Sequence, residues 1–116
     1  MSNYKKQLGN VGETFAKQYL LTKGFLFLQQ NFRFKKSEID LIFKDGNDVV
    51  FVEVKTRNDI SSIDFNSLVS KRQQKMLRFG AAAFLNNYIE VFDEARFDIV
   101  VVSSNFKNIS YISNAF

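Results

Sequence analysis

The chain has 116 residues, of which 46% are hydrophobic, and this content suits one folded domain with a modest core rather than a disordered chain. It carries 16 lysines and arginines against 12 acidic residues, and the formal net charge of +4 favours polyanionic partners. Cysteine and histidine are absent, which excludes disulfides, thiolate nucleophiles, imidazole bases and zinc sites built on either residue.

Hydrolytic chemistry in such a chain must therefore use carboxylates, lysine, hydroxyls or metal-bound water. No apolar run approaches the ~20 residues of a membrane span, and the N-terminal stretch lacks the apolar core of a signal peptide. We therefore expect a cytoplasmic protein without membrane association, formed by a single domain over residues 1–116.

The first predicted element is an amphipathic helix over about residues 2–23, ended by Gly24. Its apolar face is formed by Leu8, Val11, Gly12, Phe15, Ala16 and Tyr19. Glycine lowers helix propensity, so Gly9 and Gly12 are expected where the helix lies very close to a sheet. Glu13 lies at the edge of the apolar face, where the pattern alone describes it equally well as an ordinary boundary glutamate.

A first strand is predicted over residues 25–34, with phenylalanine alternating with basic residues at its end. Phe32 and Phe34 are expected to face the core. Arg33 and Lys35 are then expected to face outward, where they could contact phosphate.

The central stretch, residues 37–56, is predicted to form a β-hairpin. Gly46 and Asn47 lie at the centre of a polar turn, and glycine takes the positive φ of a tight primed turn without steric cost. With these two as the central pair, the facing pairs are Lys44–Val49, Ile42–Phe51, Asp40–Glu53 and Glu38–Lys55. Side chains alternate between the faces of a strand, so the last three pairs share one face. The opposite face is apolar and should be buried; it consists of Ile39, Leu41, Phe43, Val50, Val52 and Val54.

Asp40 and Glu53 then lie opposite each other with Cβ atoms about 5 Å apart, an arrangement of like charges that needs compensation. A hard divalent cation such as Mg²⁺ would provide it, because such cations prefer carboxylate oxygens. Lys55 lies on the same face, and two carboxylates with a lysine around a metal form a phosphodiester-cleaving constellation. The same charges also fit an ordinary solvated strand face, and a one-residue change in the loop would remove the pairing.

A second long helix is predicted over residues 67–88. Its apolar face is formed by Val69, Met76, Leu77, Gly80, Ala81, Phe84, Leu85 and Tyr88. Four cations lie in its first half with no acidic residue among them: Lys71, Arg72, Lys75 and Arg78. They fit either a solvated face or a ridge that contacts phosphates beside the site.

The chain closes with a strand predicted over residues 96–103 and a weakly alternating tail over residues 105–116 that could add an edge strand. Asp98 interrupts an otherwise apolar run, and we expect it to pair with Arg96 or with a nearby backbone group. The element order is typical of a three-layer α/β domain with a mixed sheet.

The spacing of Asp40 and the run Glu53-Val54-Lys55 resembles the core signature of the PD-(D/E)XK nuclease superfamily. The wider set of motifs resembles the YraN-like family of bacterial proteins, which are similar to archaeal Holliday-junction resolvases. These motifs are Gly12-Glu13, Asn31-Phe32-Arg33, Glu38-Ile39-Asp40-Leu41-Ile42, Phe51-Val52-Glu53-Val54-Lys55-Thr56-Arg57 and Arg96-Phe97-Asp98-Ile99-Val100. The chain departs from the family at Ser37, where a glycine is usual; the acidic residues are unaffected.

The resemblance implies a restriction-endonuclease-like α/β/α fold and a Mg²⁺- or Mn²⁺-dependent DNA endonuclease. Asp40, Glu53 and the Val54 carbonyl would ligate the metal, and Glu13 would reach over from the first helix to assist directly or through water. Lys55 would orient or activate the water. The residues assigned to contact nucleic acid are Arg33, Arg57, Lys71, Arg72, Lys75 and Arg78. A homodimer is left open, because resolvase-like proteins cut two symmetric strands.

Two other classes of function stay open from the residues. One is a nucleic-acid-binding protein of the same fold that does not cleave efficiently. The other is a structural or protein-interaction module, which would have no affinity for DNA. Metal-dependent cleavage of a panel of DNAs separates the first from the nuclease, and DNA binding separates the second.

Overall fold

A computed structural model describes residues 2–61 and 63–116. In chain order its elements are α1 (Ser2–Thr22), β1 (Leu26–Phe34), β2 (Ser37–Asp45), β3 (Asp48–Arg57), a short 3₁₀ turn (Phe65–Ser67), α2 (Lys71–Asn86), β4 (Ala95–Ser103) and β5 (Ile109–Ile112). Among the described residues, neither helix combines the length and the apolar character needed to cross a bilayer.

The five strands form one mixed sheet in the order β1-β2-β3-β4-β5. All neighbours are antiparallel except β3 and β4, which are parallel. A parallel pair needs a long crossover, and here the crossover contains α2. The two helices lie over opposite faces of the sheet, so the predicted three-layer α/β/α architecture is confirmed.

Each face of the sheet has its own apolar core. The core beneath α1 is built on Ala16, Leu20, Leu41, Phe43, Val50, Val52, Val100 and Val102. The core beneath α2 contains Ile39, Ile42, Val49, Phe51, Leu68, Val69, Leu77, Ala81, Phe97, Ile99 and Val101. The strands β2, β3 and β4 contribute to both cores and β3 lies in the middle of the sheet, in keeping with the nearly continuous valine-rich sequences of β3 and β4.

Helix α1 ends close to the predicted residue, and Gly24 follows with φ +89°. Gly12 confirms the predicted close approach, because a Cβ at this position would collide with Oγ1 of Thr56. The same prediction is wrong for Gly9, where an added Cβ would meet nothing within 4 Å. The packed face is also rotated from the predicted one, since Val11 and Phe15 are 40% and 41% exposed. Sequence periodicity did not identify Leu20, which is fully buried.

The hairpin of β2 and β3 confirms the predicted register for the two pairs nearest the turn. No strand pairing is observed at the other two predicted pairs, Asp40–Glu53 and Glu38–Lys55, and Glu38 lies opposite Arg33 of β1 instead. Lys44 pairs with Val49 and Ile42 pairs with Phe51 across a two-residue turn, and Gly46 has φ +60°. The predicted alternation is wrong at Ile39, which packs beneath α2 rather than with its neighbours Leu41 and Phe43 beneath α1. The last observed pair of the hairpin, Leu41–Val52, lies just before this change.

Strand β1 is an edge strand, and its end does not follow the predicted alternation. Phe32 contacts Phe84 of α2 as expected, with ring centroids 5.4 Å apart. Phe34 does not reach the core; it is 37% exposed and lies against Phe79, which is 47% exposed. Asn31, between Gln30 and Phe32, has φ +53°, a conformation that interrupts a regular strand.

Helix α2 begins later than predicted, because Ser70 caps it. The Ser70 hydroxyl accepts a hydrogen bond from the backbone N–H of Gln73 at 3.1 Å. The preceding residues form the short 3₁₀ turn instead of a helical turn. The capping interaction therefore determines which side chains of α2 reach the sheet at its first turn.

The predicted structural role of Asp98 is confirmed. Its carboxylate is fully buried, pairs with Arg96 Nε at 3.1 Å and accepts the Asn114 backbone N–H at 2.8 Å. The Tyr111 hydroxyl also donates to it. Arg96 reaches on to Asp45 at 2.9 Å, so this network joins the turn end of the hairpin to β4 and β5.

Two glycines in comparable helical positions should respond in opposite ways to alanine. An added Cβ at Gly80 would lie 3.1 Å from Cβ of buried Ser37 and closer still to its hydroxyl, which donates to the Met76 carbonyl. We expect Gly80→Ala to lower the free energy of unfolding by about 1–2 kcal/mol, because the crowding exceeds the gain in helix propensity. Gly9→Ala should raise it by up to about 1 kcal/mol. Urea unfolding measures both, and equal effects would contradict the packing described.

Candidate active site

The site lies where the pairing of β2 and β3 ends. Beyond the Leu41–Val52 pair, Oδ2 of Asp40 accepts the backbone N–H of Val54 at 2.8 Å. A side chain thus takes the place of a strand carbonyl as the acceptor of this N–H. The hydrogen bond holds the Asp40 carboxylate against β3, next to Glu53.

Glu53 and Lys55 form a partly enclosed ion pair beside Asp40. Nζ of Lys55 lies 3.1 Å from Oε2 of Glu53, and the two side chains are 16% and 9% exposed. Both belong to β3 at alternate positions, so the shared face follows from the two-residue period of the strand. Asp40, Glu53 and Lys55 line one hollow of about 480 Å³, which also includes Val54 and Arg57.

Gln73 of α2 completes this group, although the residue pattern did not predict it. Its Nε2 donates to Oε2 of Glu53 at 2.8 Å, and its Oε1 accepts from Nζ of Lys55 at 3.4 Å. One amide therefore contacts both members of the ion pair. The available sequence signal was the spacing of Ser70 and Gln73, which is that of a capping box and predicts that the Gln73 side chain reaches back to the Ser70 N–H; in the structure its amide contacts Glu53 and Lys55.

The electrostatics of the site are those of crowded carboxylates. Burial, followed by the neighbouring Glu53 carboxylate, raises the pKa of Asp40 to about 8. The hydrogen bond from the Val54 N–H acts in the opposite direction and only partly offsets them. Asp40 and Glu53, the two carboxylates predicted to repel each other, thus lie close enough together for Glu53 to raise the pKa of Asp40.

Glu13 projects from α1 into the same hollow. Its Oε1 is buried and has no hydrogen-bond partner. Burial raises the pKa of this carboxyl, a hydrogen bond from Gln30 acts in the opposite direction, and the neighbouring Glu38 and Glu53 carboxylates raise it further. A buried acceptor without a partner carries an energetic cost. A cation or a water held in the hollow would remove that cost.

The donor set fits a hard cation only in part. Asp40 and Glu53 offer adjacent carboxylates, Val54 lines the same hollow, and Glu13 has a free oxygen. Within residues 2–61 and 63–116, however, no three acidic side chains lie close enough together to hold a metal between them. Two carboxylates, with a backbone carbonyl and water, are therefore the set that this arrangement could provide, and Glu13 fits the water-mediated form of its predicted role.

The predicted nucleic-acid contacts fall into separate groups around the site. Arg57 lines the hollow itself, whereas Arg33 pairs with Glu38 at 2.7 Å beside a neighbouring hollow that also includes Glu13. Arg72 and Lys75 lie together on one side of α2.

The other two cations of α2 lie elsewhere. Lys71 lines a hollow with Ala115 and Phe116, and the guanidinium of Arg78 lies 5.3 Å from the centroid of the Phe97 ring. The structure thus divides the four predicted cations of this helix between two sides.

The raised pKa of Asp40 should make the metal-free protein less stable as pH rises. Between about pH 4 and pH 8 the folded state retains a proton that the unfolded state releases, so the free energy of unfolding falls through this window, by at most about 1.4 kcal/mol per pH unit. Asp40→Asn should remove most of this slope, while Glu90→Gln, a change at an exposed carboxylate, should keep it. Urea unfolding in EDTA at several pH values measures both. A wild-type slope no steeper than that of Asp40→Asn would contradict the assignment.

Comparison with known proteins identifies the family. The model of the family described as "Uncharacterised protein family UPF0102" matches residues 12–102. A UPF0102 protein of Vibrio campbellii is 40% identical over 113 residues, covering 96% of this chain and 93% of its own length. A UPF0102 protein of Caldicellulosiruptor saccharolyticus is 39% identical over 116 residues, covering 97% and 98%. The matched segment includes every residue of the candidate active site, and the chain therefore belongs to the UPF0102 family, also called the YraN family.

Proposed function

We propose that this protein is a divalent-metal-dependent endonuclease that hydrolyses phosphodiester bonds in DNA. One observation carries the proposal: Asp40, Glu53 and Lys55 converge where β2 and β3 diverge, in a hollow that the Glu13 side chain also enters. The resemblance of these residues to the PD-(D/E)XK signature supports it. The restriction-endonuclease-like α/β fold is consistent with it, since that architecture places its acidic residues at such a strand end.

The residues of the candidate active site would have different roles in this reaction. Asp40 and Glu53 would hold Mg²⁺ or Mn²⁺ together with the Val54 carbonyl, and the bound cation would supply Lewis-acid activation of water and stabilisation of phosphate charge. Lys55 lines the same hollow as Glu53, and its ammonium group would hold the attacking water or neutralise the charge that develops on the phosphate. Glu13 could accept a hydrogen bond from a water in the hollow through its free oxygen.

Gln73 is a positioning residue in this scheme. Its amide contacts both Glu53 and Lys55, so from α2 it would keep the carboxylate proposed to bind the metal and the lysine in fixed relative positions. Such support matters because misplacement by about 1 Å can reduce a rate about 10²-fold.

A second candidate function is nucleic-acid binding without efficient cleavage. The observation in its favour is that only two carboxylates of the described residues are adjacent in the hollow, and Glu53 is already occupied by Lys55 and Gln73. This candidate predicts DNA binding that does not depend on Mg²⁺ and no product in any cleavage assay.

The activity test uses duplex, single-stranded, flap and four-way-junction DNA with Mg²⁺, Mn²⁺ or EDTA. We expect metal-dependent cleavage of at least one substrate by the wild-type protein. Asp40→Asn should abolish it, because a metal ligand is lost. Lys55→Ala should reduce it by about 10²–10³-fold, because a charge-stabilising group is lost. Glu90→Gln is the matched control and should cleave normally. Absence of metal-dependent cleavage on the whole panel would reject the nuclease in favour of the second candidate.

Metal binding should also be visible as stability, independently of catalysis. Mg²⁺ at a hundred times its dissociation constant should raise the free energy of unfolding by about 2.7 kcal/mol. Asp40→Asn should lose this gain yet be at least as stable as wild type without metal, because the amide is neutral without taking up the proton that Asp40 must bind on folding below about pH 8.

Lys55→Ala separates the two roles of the site in the same melts. It should keep the metal response but be less stable in EDTA, because Glu53 loses its nearest cation. If no melt shifts with metal and Asp40→Asn is several kcal/mol less stable than wild type, Asp40 is a structural acceptor for Val54 and not a metal ligand.

A further inference from the structure

A second hollow, outside the candidate active site, lies between the β1–β2 turn and α2. Its volume is about 560 Å³, and its lining residues are Lys35, Lys36, Arg72, Lys75, Met76 and Phe79. Four of these six residues are cationic, yet the surface they form is almost entirely carbon. The cations therefore contribute their methylene stems to the walls and leave their charges at the rim.

Phe79, the aromatic residue that lines this hollow, contributes little to the core. Phe79 is 47% exposed and lies one turn of α2 from Lys75, while the core beneath the helix is made by Leu77 and Ala81. The ring of Phe34 lies 5.4 Å from it, tilted by 50°, and is itself 37% exposed. An exposed aromatic pair that adds little to the core is typical of a binding surface.

The charges around the pair are not neutralised. No residue that lines the hollow is acidic, and the nearest carboxylate along the chain, that of Glu38, pairs with Arg33 instead. Lys35 has φ +55°, an uncommon conformation for a residue other than glycine. A second copy of the chain docked through this surface would bring like charges together, which disfavours a symmetric contact. A polyanion with flat apolar faces would place negative charge beside the cations at the rim and apolar surface against Phe79.

We infer that this hollow binds an unpaired nucleotide: its base lies against Phe79, and the neighbouring phosphates contact Lys35, Lys36, Arg72 and Lys75. Aromatic side chains bordered by cations are how proteins bind single-stranded nucleic acid, because every base has a stacking face. Along α2 this hollow is one residue away from the candidate active site: Arg72 lines the hollow, and the amide of the next residue, Gln73, contacts Glu53. The inference rests on the proposed function and names its substrate class, nucleic acid with a single-stranded segment beside the strand that is cut.

Binding is measured by fluorescence anisotropy in EDTA, so that cleavage plays no part. The probes are a single-stranded DNA oligonucleotide, an RNA of the same sequence and a DNA duplex. Phe79→Ala should weaken single-strand binding by about 5- to 150-fold, the loss that corresponds to one stacked base, and change duplex binding far less. Phe79→Tyr keeps the ring and should bind as wild type does. Ile89→Ala, at a side chain that is 96% exposed, is the matched control for lost apolar surface and should have no effect.

An abasic oligonucleotide tests the stacking contact directly. Removing all bases should weaken binding by the wild-type protein more than binding by Phe79→Ala, because the variant has already lost one stacked base. The double variant Lys35→Ala/Lys75→Ala should reduce the dependence of log affinity on log salt by about 0.7 for each lost phosphate contact on single strands. Lys107→Ala, an exposed lysine of the β4–β5 connection, should leave that slope unchanged.

The outcomes separate this inference from the proposed function. Equal single-strand affinity of Phe79→Ala and wild type overturns the inference, even if the wild type cleaves duplex DNA. Loss of affinity accompanied by a change from dimer to monomer in sedimentation also overturns it, because the surface is then a subunit contact. If Phe79 is required for single-strand binding but no metal yields cleavage, the inference stands and the nuclease proposal fails. Comparing DNA and RNA affinities identifies which of the two the hollow prefers.

Discussion

The hydrogen bond from the Val54 N–H to the Asp40 carboxylate is the interaction on which the candidate site depends. In a continuous antiparallel ladder this N–H would bond a carbonyl of the neighbouring strand. Here the observed pairing of β2 and β3 stops at Leu41–Val52, and a side chain serves as the acceptor. The separation of the strands opens the hollow and, at the same time, holds a carboxylate against Glu53 inside it. The raised pKa of Asp40 is the energetic consequence of this placement.

The site draws on both helical layers although its main residues belong to the sheet. Gly12 allows α1 to approach Thr56 closely, and this approach brings Glu13 over the strand ends. On the other face, the Ser70 cap sets the start of α2 so that Gln73 reaches Glu53 and Lys55. Such an assembly is costly for stability, since it collects like charges and leaves a buried oxygen of Glu13 without a partner. Functional sites commonly carry such costs, which the rest of the fold must offset.

The formal net charge of +4 does not show that acidic and basic side chains are gathered in different parts of the protein. Three carboxylates open on the hollow of the candidate active site, and the hollow beside α2 is rimmed by four cations without a carboxylate among its lining residues. Arg72, which lines the basic hollow, directly precedes Gln73, whose amide contacts Glu53. Under the function proposed above, a polyanionic chain bound at the basic hollow would meet repulsion from the acidic one unless a cation is bound there.

The sequence by itself determined the element order, the mixed three-layer architecture and the hairpin register that places Asp40, Glu53 and Lys55 near one another. These features depend on local periods and on a two-residue turn at Gly46, so they can be derived from spacing alone. Only the tertiary structure decided the position of Gln73, the sheet face on which Ile39 lies and the exposed contact between Phe34 and Phe79. Each of these depends on where a helix lies over the sheet or on a break in strand regularity. Residue spacing determines which face of an element a side chain occupies, whereas the atoms that meet that face are determined by packing between elements that are distant in sequence.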